Sequence, residues 1–179
     1  MNDLIDQIKY DHISMSKVLN LMEREIGLLA DDQDPDYFLL VDSMRYMVNY
    51  SDTIHHVKED AIFARLVEIV PETSETVEEI RTQHKTLAVL STQLYDIVRN
   101  ASLGELVSKA DISKLGSEYV SALRRHMSIE EGDLLRKARE SLSPEDLSKV
   151  EKEYANFRDP LLSDSLEQEY SSLYQNLIV

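Results

Sequence analysis

Cysteine is missing from all 179 residues of the chain. Disulfides, thiolate zinc sites and cysteine-ligated iron–sulfur clusters are therefore excluded, and the composition fits a reducing, cytoplasmic setting. Glycine and proline are scarce, at four each. That leaves little turn chemistry for a many-stranded β fold. No stretch approaches the ~18 consecutive apolar residues that a transmembrane helix needs. The stretch from Met1 to His12 has neither a basic region nor an apolar run, so no signal peptide and no membrane partner are expected. Positive charge is in deficit as well: 19 Lys and Arg stand against 34 Asp and Glu, a formal net charge of −15. Such a surface repels phosphates, and nucleic acid is not an expected partner.

What the chain has instead is apolar periodicity. From Asn2 to Ala30 the line Ile5, Ile8, His12, Met15, Leu19, Met22, Ile26, Leu29 alternates steps of three and four, the spacing of one helix face. Asp34 as N-cap with Pro35 at the first helical position opens a second segment, ended by Pro71. Its line is Val41, Met44, Val48, Ser51, His55, Glu59, Ile62, Leu66, Ile69. A third segment, capped by Thr73 or Ser74, carries Val77, Ile80, His84, Leu87, Ser91, Leu94, Val98, Ala101. A fourth, from about Asp111 to Glu140, carries Ile112, Leu115, Tyr119, Ala122, His126, Glu130, Leu134. The pattern predicts an all-α fold with four long helices, each with one histidine at a core position.

Ser143-Pro144-Glu145-Asp146 combines a capping serine, a proline and two acids, and so predicts a fifth helix to about Phe157. Pro160 and a short segment around Leu166, Tyr170, Leu173 and Leu177 follow. Residues 142–179 are expected either to pack on the helices before them or to mediate self-association into a homodimer.

The candidate chemistry lies in His12, His55, Glu59, His84, His126 and Glu130. One histidine on an apolar line is most often a satisfied core residue, and a His-x-x-x-Glu pair is an ordinary contact one turn apart. The joint pattern is different. Four of the five histidines fall on four different buried lines, and two of those lines carry a carboxylate four residues later. Six buried polar groups without a shared partner would cost several kcal/mol in desolvation. A metal ion suits imidazole and carboxylate alike; without soft ligands, iron or manganese fits better than copper(I), and zinc stays open. His56 is one residue off its line, about 100° around an α-helix. It is expected to face solvent or to support a ligand from behind. Glu131 and Asp60 compete with Glu130 and Glu59, and the lines favour the latter pair. Tyr46, Tyr50 and Tyr119 are read as core packing.

The set His12, His55-His56-x-Lys58-Glu59-Asp60, His84 and His126-x-x-x-Glu130-Glu131 resembles the hemerythrin-like family with its HHE cation-binding domain. The resemblance covers roughly residues 1–141. It implies an up-down four-helix bundle around a non-haem di-iron centre, with manganese or zinc less favoured. It also implies that His12 and His55 bind one iron, that His84 and His126 bind the other, and that Glu59 and Glu130 bridge them. Oxygen-carrying hemerythrins have a fifth histidine one turn before the third-helix ligand. Here that position is Ile80. Water, hydroxide or an unassigned side chain would have to fill it, which weakens the case for a dedicated reversible O2 carrier.

The resemblance leads to a cytoplasmic di-iron protein that binds O2, NO or peroxide in sensing, storage or stress response. One alternative is an iron donor for repair of iron–sulfur centres, although that branch of the family usually carries an N-terminal Cys-containing segment. Another is a di-iron oxidase or peroxidase. Ferritin-like enzymes of that class use Glu-x-x-His motifs, and none of the five histidines here has a glutamate three residues before it. A last reading is a regulatory interaction module acting through residues 143–179.

Overall fold

In the computed structural model, residues 4–154, 157–162 and 170–177 are described. Helix α1 spans Leu4–Ala30. A second long rod consists of α2 (Tyr37–Tyr46), a π-helical stretch (Met47–His55) and α3 (His56–Ile69). A 3-10 turn at Pro71–Thr73 leads to α4 (Ser74–Ser102). The fourth rod is α5 (Lys109–Ile129), a second π-helical stretch (Glu130–Leu134) and α6 (Leu135–Ser141). Helices α7 (Pro144–Tyr154) and α8 (Ser171–Leu177) follow.

Short polar side chains set the helix starts. The Asp36 carboxylate accepts the Leu39 N–H at 3.0 Å, and the Asp36 N–H donates to Glu25 Oε2 at 2.9 Å. Asp36 is therefore the cap, two residues beyond the expected Asp34, because Glu25 on α1 ties down the Asp36 backbone. Ser108 caps α5 by accepting the Asp111 N–H at 3.2 Å. Ser143 and Asp146 cap α7 reciprocally: Ser143 Oγ accepts the Asp146 N–H at 3.2 Å, and Asp146 Oδ2 accepts the Ser143 N–H at 3.1 Å. At the end of α4, Gly104 takes φ +81°, and the Glu105 N–H returns to the Asn100 carbonyl at 3.1 Å. That closure needs the left-handed conformation glycine adopts freely.

Cross-helix pairs give the topology. Asp6 meets Arg139, His12 meets Glu131, and Glu23 meets Arg124, so the first and fourth rods run antiparallel. Asp52 meets Ser91 and Asp60 meets His84, so the second and third do too. With short turns between successive rods, the result is an up-down four-helix bundle carrying further C-terminal helices. Gly116 permits close approach of α1 and α5, since a Cβ there would run into the Ile26 side chain. Leu147 and Val150 of α7 pack among the apolar residues at one end of the bundle, and Tyr170 and Leu173 pack at the other. The helix expected to reach Phe157 is described as far as Tyr154, and Leu166 lies outside the described residues.

The core is divided. One apolar cluster includes Met15, Leu87, Leu94, Tyr119 and Leu123; the other includes Ile8, Ile62, Leu66, Ile80 and Leu134. His12 lies in sequence between Ile8 and Met15, and His84 between Ile80 and Leu87. The histidines and glutamates thus form a polar layer between two hydrophobic halves, and the apolar packing on both sides holds it in place.

Candidate metal centre

All six expected residues reach this layer and are buried: His12, His55, His84 and His126 are at most 6% exposed, and Glu59 and Glu130 are fully buried. Five of them, together with His56, form two groups of side chains whose ligand atoms lie within 4.8 Å of one another; Glu130 is in neither group but approaches His12, His84 and His126. The first group is His12, His55 and Glu59; the second is His56, Glu59, His84 and His126. Glu59 belongs to both.

The carboxylates face both groups. Glu59 Oε1 is 3.2 Å from His12 Nε2 and 3.3 Å from His55 Nε2, while its Oε2 is 3.5 Å from His84 Nε2. Glu130 Oε2 is 3.6 Å from His12 Nε2 and 3.2 Å from His126 Nε2, and its Oε1 is 3.4 Å from His84 Nε2.

Behind each of these four histidines stands an acceptor for Nδ1–H. His12 Nδ1 is 2.9 Å from Glu131 Oε1, and His55 Nδ1 is 3.1 Å from Asp11 Oδ2. His84 Nδ1 is 3.2 Å from Asp60 Oδ1, and His126 Nδ1 is 3.0 Å from Gln83 Oε1. A carboxylate or amide oxygen can only accept, so the proton sits on Nδ1 and the Nε2 lone pair turns inward. Glu131 and Asp60, the competitors for the inward role, are in fact these outer partners. Asp11 and Gln83 escaped the sequence reading. Each directly precedes a core histidine, Asp11 before His12 and Gln83 before His84, yet each serves a histidine on a different helix.

Electrostatically, the layer suits a cation. Buried Nε2 atoms of His55, His84 and His126, and carboxylate oxygens of Glu59 and Glu130, have no hydrogen-bond partner. Burial opposes charging His12, but the hydrogen bonds it donates to Glu131 and Glu59 outweigh it and raise its pKa to about 10. Burial likewise opposes His84, yet its hydrogen bond to Asp60 and the nearby Glu130 and Glu59 carboxylates lift it to about 11. For His126 burial wins, and its pKa falls to about 3. Burial and the Glu59 charge push Glu130 up to about 7. Among the described residues, this donor set of imidazole nitrogens and carboxylate oxygens fits a hard-to-intermediate divalent metal.

Of the two places expected for His56, the solvent-facing one is excluded. The residue is 3% exposed, and its ring stacks on His84 with centroids 4.2 Å apart and planes 12° apart. The cause is local backbone. The π-helical stretch ends with the His56 N–H bonded to the Ser51 carbonyl, five residues back. Wider turns rotate consecutive residues less than an α-helix does, so both His55 and His56 face inward. A second π-helical stretch begins at Glu130, where the Leu135 N–H returns to the Glu130 carbonyl.

A cleft of about 220 Å3 opens behind the first group, lined in part by Asp11, Tyr50, Lys58 and Asp159. Tyr50 Oη donates to Asp11 Oδ2 at 2.8 Å and accepts from Lys58 Nζ at 3.4 Å. Tyr46 Oη donates to Asp159 Oδ2 at 3.1 Å. Tyr46 and Tyr50 thus pack in the core and also anchor polar partners.

The family model of the hemerythrin HHE cation-binding domain matches residues 3–138, with a second match over 75–170. The chain belongs to that family, and the buried cluster makes it a metal-binding domain. Searches of curated proteins and of solved structures each gave no match. No helix among the described residues is long and apolar enough to cross a membrane.

Proposed function

We propose that the chain is a cytoplasmic non-haem di-iron protein that binds O2, NO or peroxide in sensing, storage or stress response. The observation that carries this reading is the sharing of Glu59 between two adjacent groups of inward-facing nitrogens. One carboxylate with each oxygen aimed at a different group is what a bridge between two ions requires. His12 and His55 would hold one ion, His84 and His126 the other, with Glu59 and Glu130 between them. Family membership supports the ligand class, since hemerythrins in general bind small gases such as O2. Iron is favoured over manganese or zinc because it supplies reversible gas binding and redox change at such an N/O site.

The protein's own part is to hold the donors ready. The Nδ1 acceptors lock each ring's tautomer and direction, which raises the basicity of the inward nitrogen. The apolar clusters above and below keep bulk water out of the layer. We assign the metal-binding unit to residues 1–141, with 142–179 as an extension packed on it.

Anaerobic reconstitution with Fe(II), followed by O2 or NO, tests the reading. The expected result is two irons per chain and a new visible absorption on adding the gas. Less than one iron per chain would sink the di-iron assignment.

A further inference from the structure

His56 has no role in the ligand assignment above, and its surroundings do not suit a packing residue. Neither ring nitrogen has a hydrogen-bond partner, although the side chain is almost fully buried. A buried imidazole with two unpartnered nitrogens bears its desolvation cost without compensation. One of those nitrogens lies within 4.8 Å of ligand atoms from Glu59, His84 and His126. Its ring is 5.3 Å from the His126 ring, edge to face.

Asp52, one helical turn earlier, places Oδ1 3.5 Å from His56 Nδ1. Its other carboxylate oxygen accepts from the Ser91 hydroxyl. As at the four other histidines, a side-chain oxygen stands on the Nδ1 side, here at a separation longer than their hydrogen bonds. Ile80, meanwhile, is fully buried in the apolar cluster below and offers the second group nothing.

We propose that His56 is a metal ligand, the third imidazole of the His84/His126 site. The nitrogen that the third helix does not provide at Ile80 comes from the second rod, turned inward by the π-helical stretch. Adjacent residues then serve different ions, His55 the first and His56 the second. The inference rests on the two-metal reading and makes the centre five-histidine and asymmetric, with two imidazoles on one ion and three on the other.

The test uses the full chain loaded anaerobically with Co(II). A histidine bound through Nε2 keeps an exchangeable Nδ1 proton, which paramagnetic cobalt shifts far outside the ordinary proton NMR range. Five such resonances are expected from the wild type. His56→Gln should remove one and weaken the second cobalt by roughly tenfold or more, leaving the first in place. Four resonances in the wild type, or a folded His56→Gln chain that binds both ions as before, overturns the His56 assignment and leaves the two-metal centre standing. Fewer than two cobalt ions per wild-type chain overturns the two-metal reading, and this inference with it. The wild-type count holds even if the variant fails to fold.

Discussion

Asp11 Oδ2 accepts from two directions, lying 3.1 Å from His55 Nδ1 and 2.8 Å from Tyr50 Oη. One buried carboxylate therefore orients an inward-facing imidazole and is itself held by a phenol whose hydroxyl also meets Lys58. Replacing such an outer partner typically costs 10–100-fold in metal affinity. Asp11→Asn is expected to weaken the ion held by His12 and His55 by about that factor, with the other ion little affected. Tyr50→Phe should cost less, because Asp11 keeps its bond to His55. Competition titrations with a chromophoric chelator read both variants, and equal weakening of the two ions by Asp11→Asn would contradict the assignment.

Glu59 and His12 should behave differently when changed. Glu59 faces both ligand groups, whereas His12 belongs to one. Glu59→Gln keeps the shape but leaves a neutral amide, a poor ligand for a hard cation. It is expected to bring metal content below one ion per chain, while His12→Ala loses only one of two. Metal analysis of both purified variants, reconstituted side by side, decides. Equal loss in the two would mean that Glu59 does not bridge.

Much of this was legible in the chain's periodicity. The three-four spacing placed His12, His84, His126 and Glu130 on buried lines, and each is buried in the fold. The rods and their order followed from the same lines and from the prolines and caps between them. The second rod was read less well because α-helical spacing was applied across Met47–His55, where the backbone widens to π geometry. Val48 and Ile69, expected on the buried line, are not buried, while Met47, Tyr50 and His56 are. Within the wide stretch consecutive residues turn less, which brings extra side chains inward, and no residue type announces it; beyond it Glu59, Ile62 and Leu66 are buried as expected. The Nδ1 acceptors were hidden for a related reason: each acts across helices, and spacing within one helix cannot reveal a partner on another.

Ile80 tests how far the apolar half supports the site. It is fully buried beside Ile8, Ile62 and Leu134, one turn before His84. Ile80→Ala removes buried methylenes and leaves a cavity, at a cost of about 2–5 kcal/mol. Urea unfolding of the metal-free chain should show that loss with an unchanged slope. A cost under about 0.5 kcal/mol would place Ile80 at the tolerant surface level and outside a packed core.

The pH dependence should separate the metal-free and metal-loaded chains. Without metal, His12 and His84 have pKa values raised to about 10 and about 11 in the fold, both above the ordinary imidazole value of 6.5. A basic group whose pKa rises on folding stabilises the fold fully below its unfolded pKa, and that contribution is lost as pH climbs through the folded value. The metal-free chain should therefore lose stability between about pH 6.5 and 11. Metal binding needs the same nitrogens deprotonated, so its affinity gains over that interval. Thermal midpoints measured with chelator and with anaerobic Fe(II) should draw apart as pH rises from 6.5 to 8.5, the loaded chain gaining on the metal-free one. If the gap instead closed with rising pH, the imidazoles would not be shared between protons and metal.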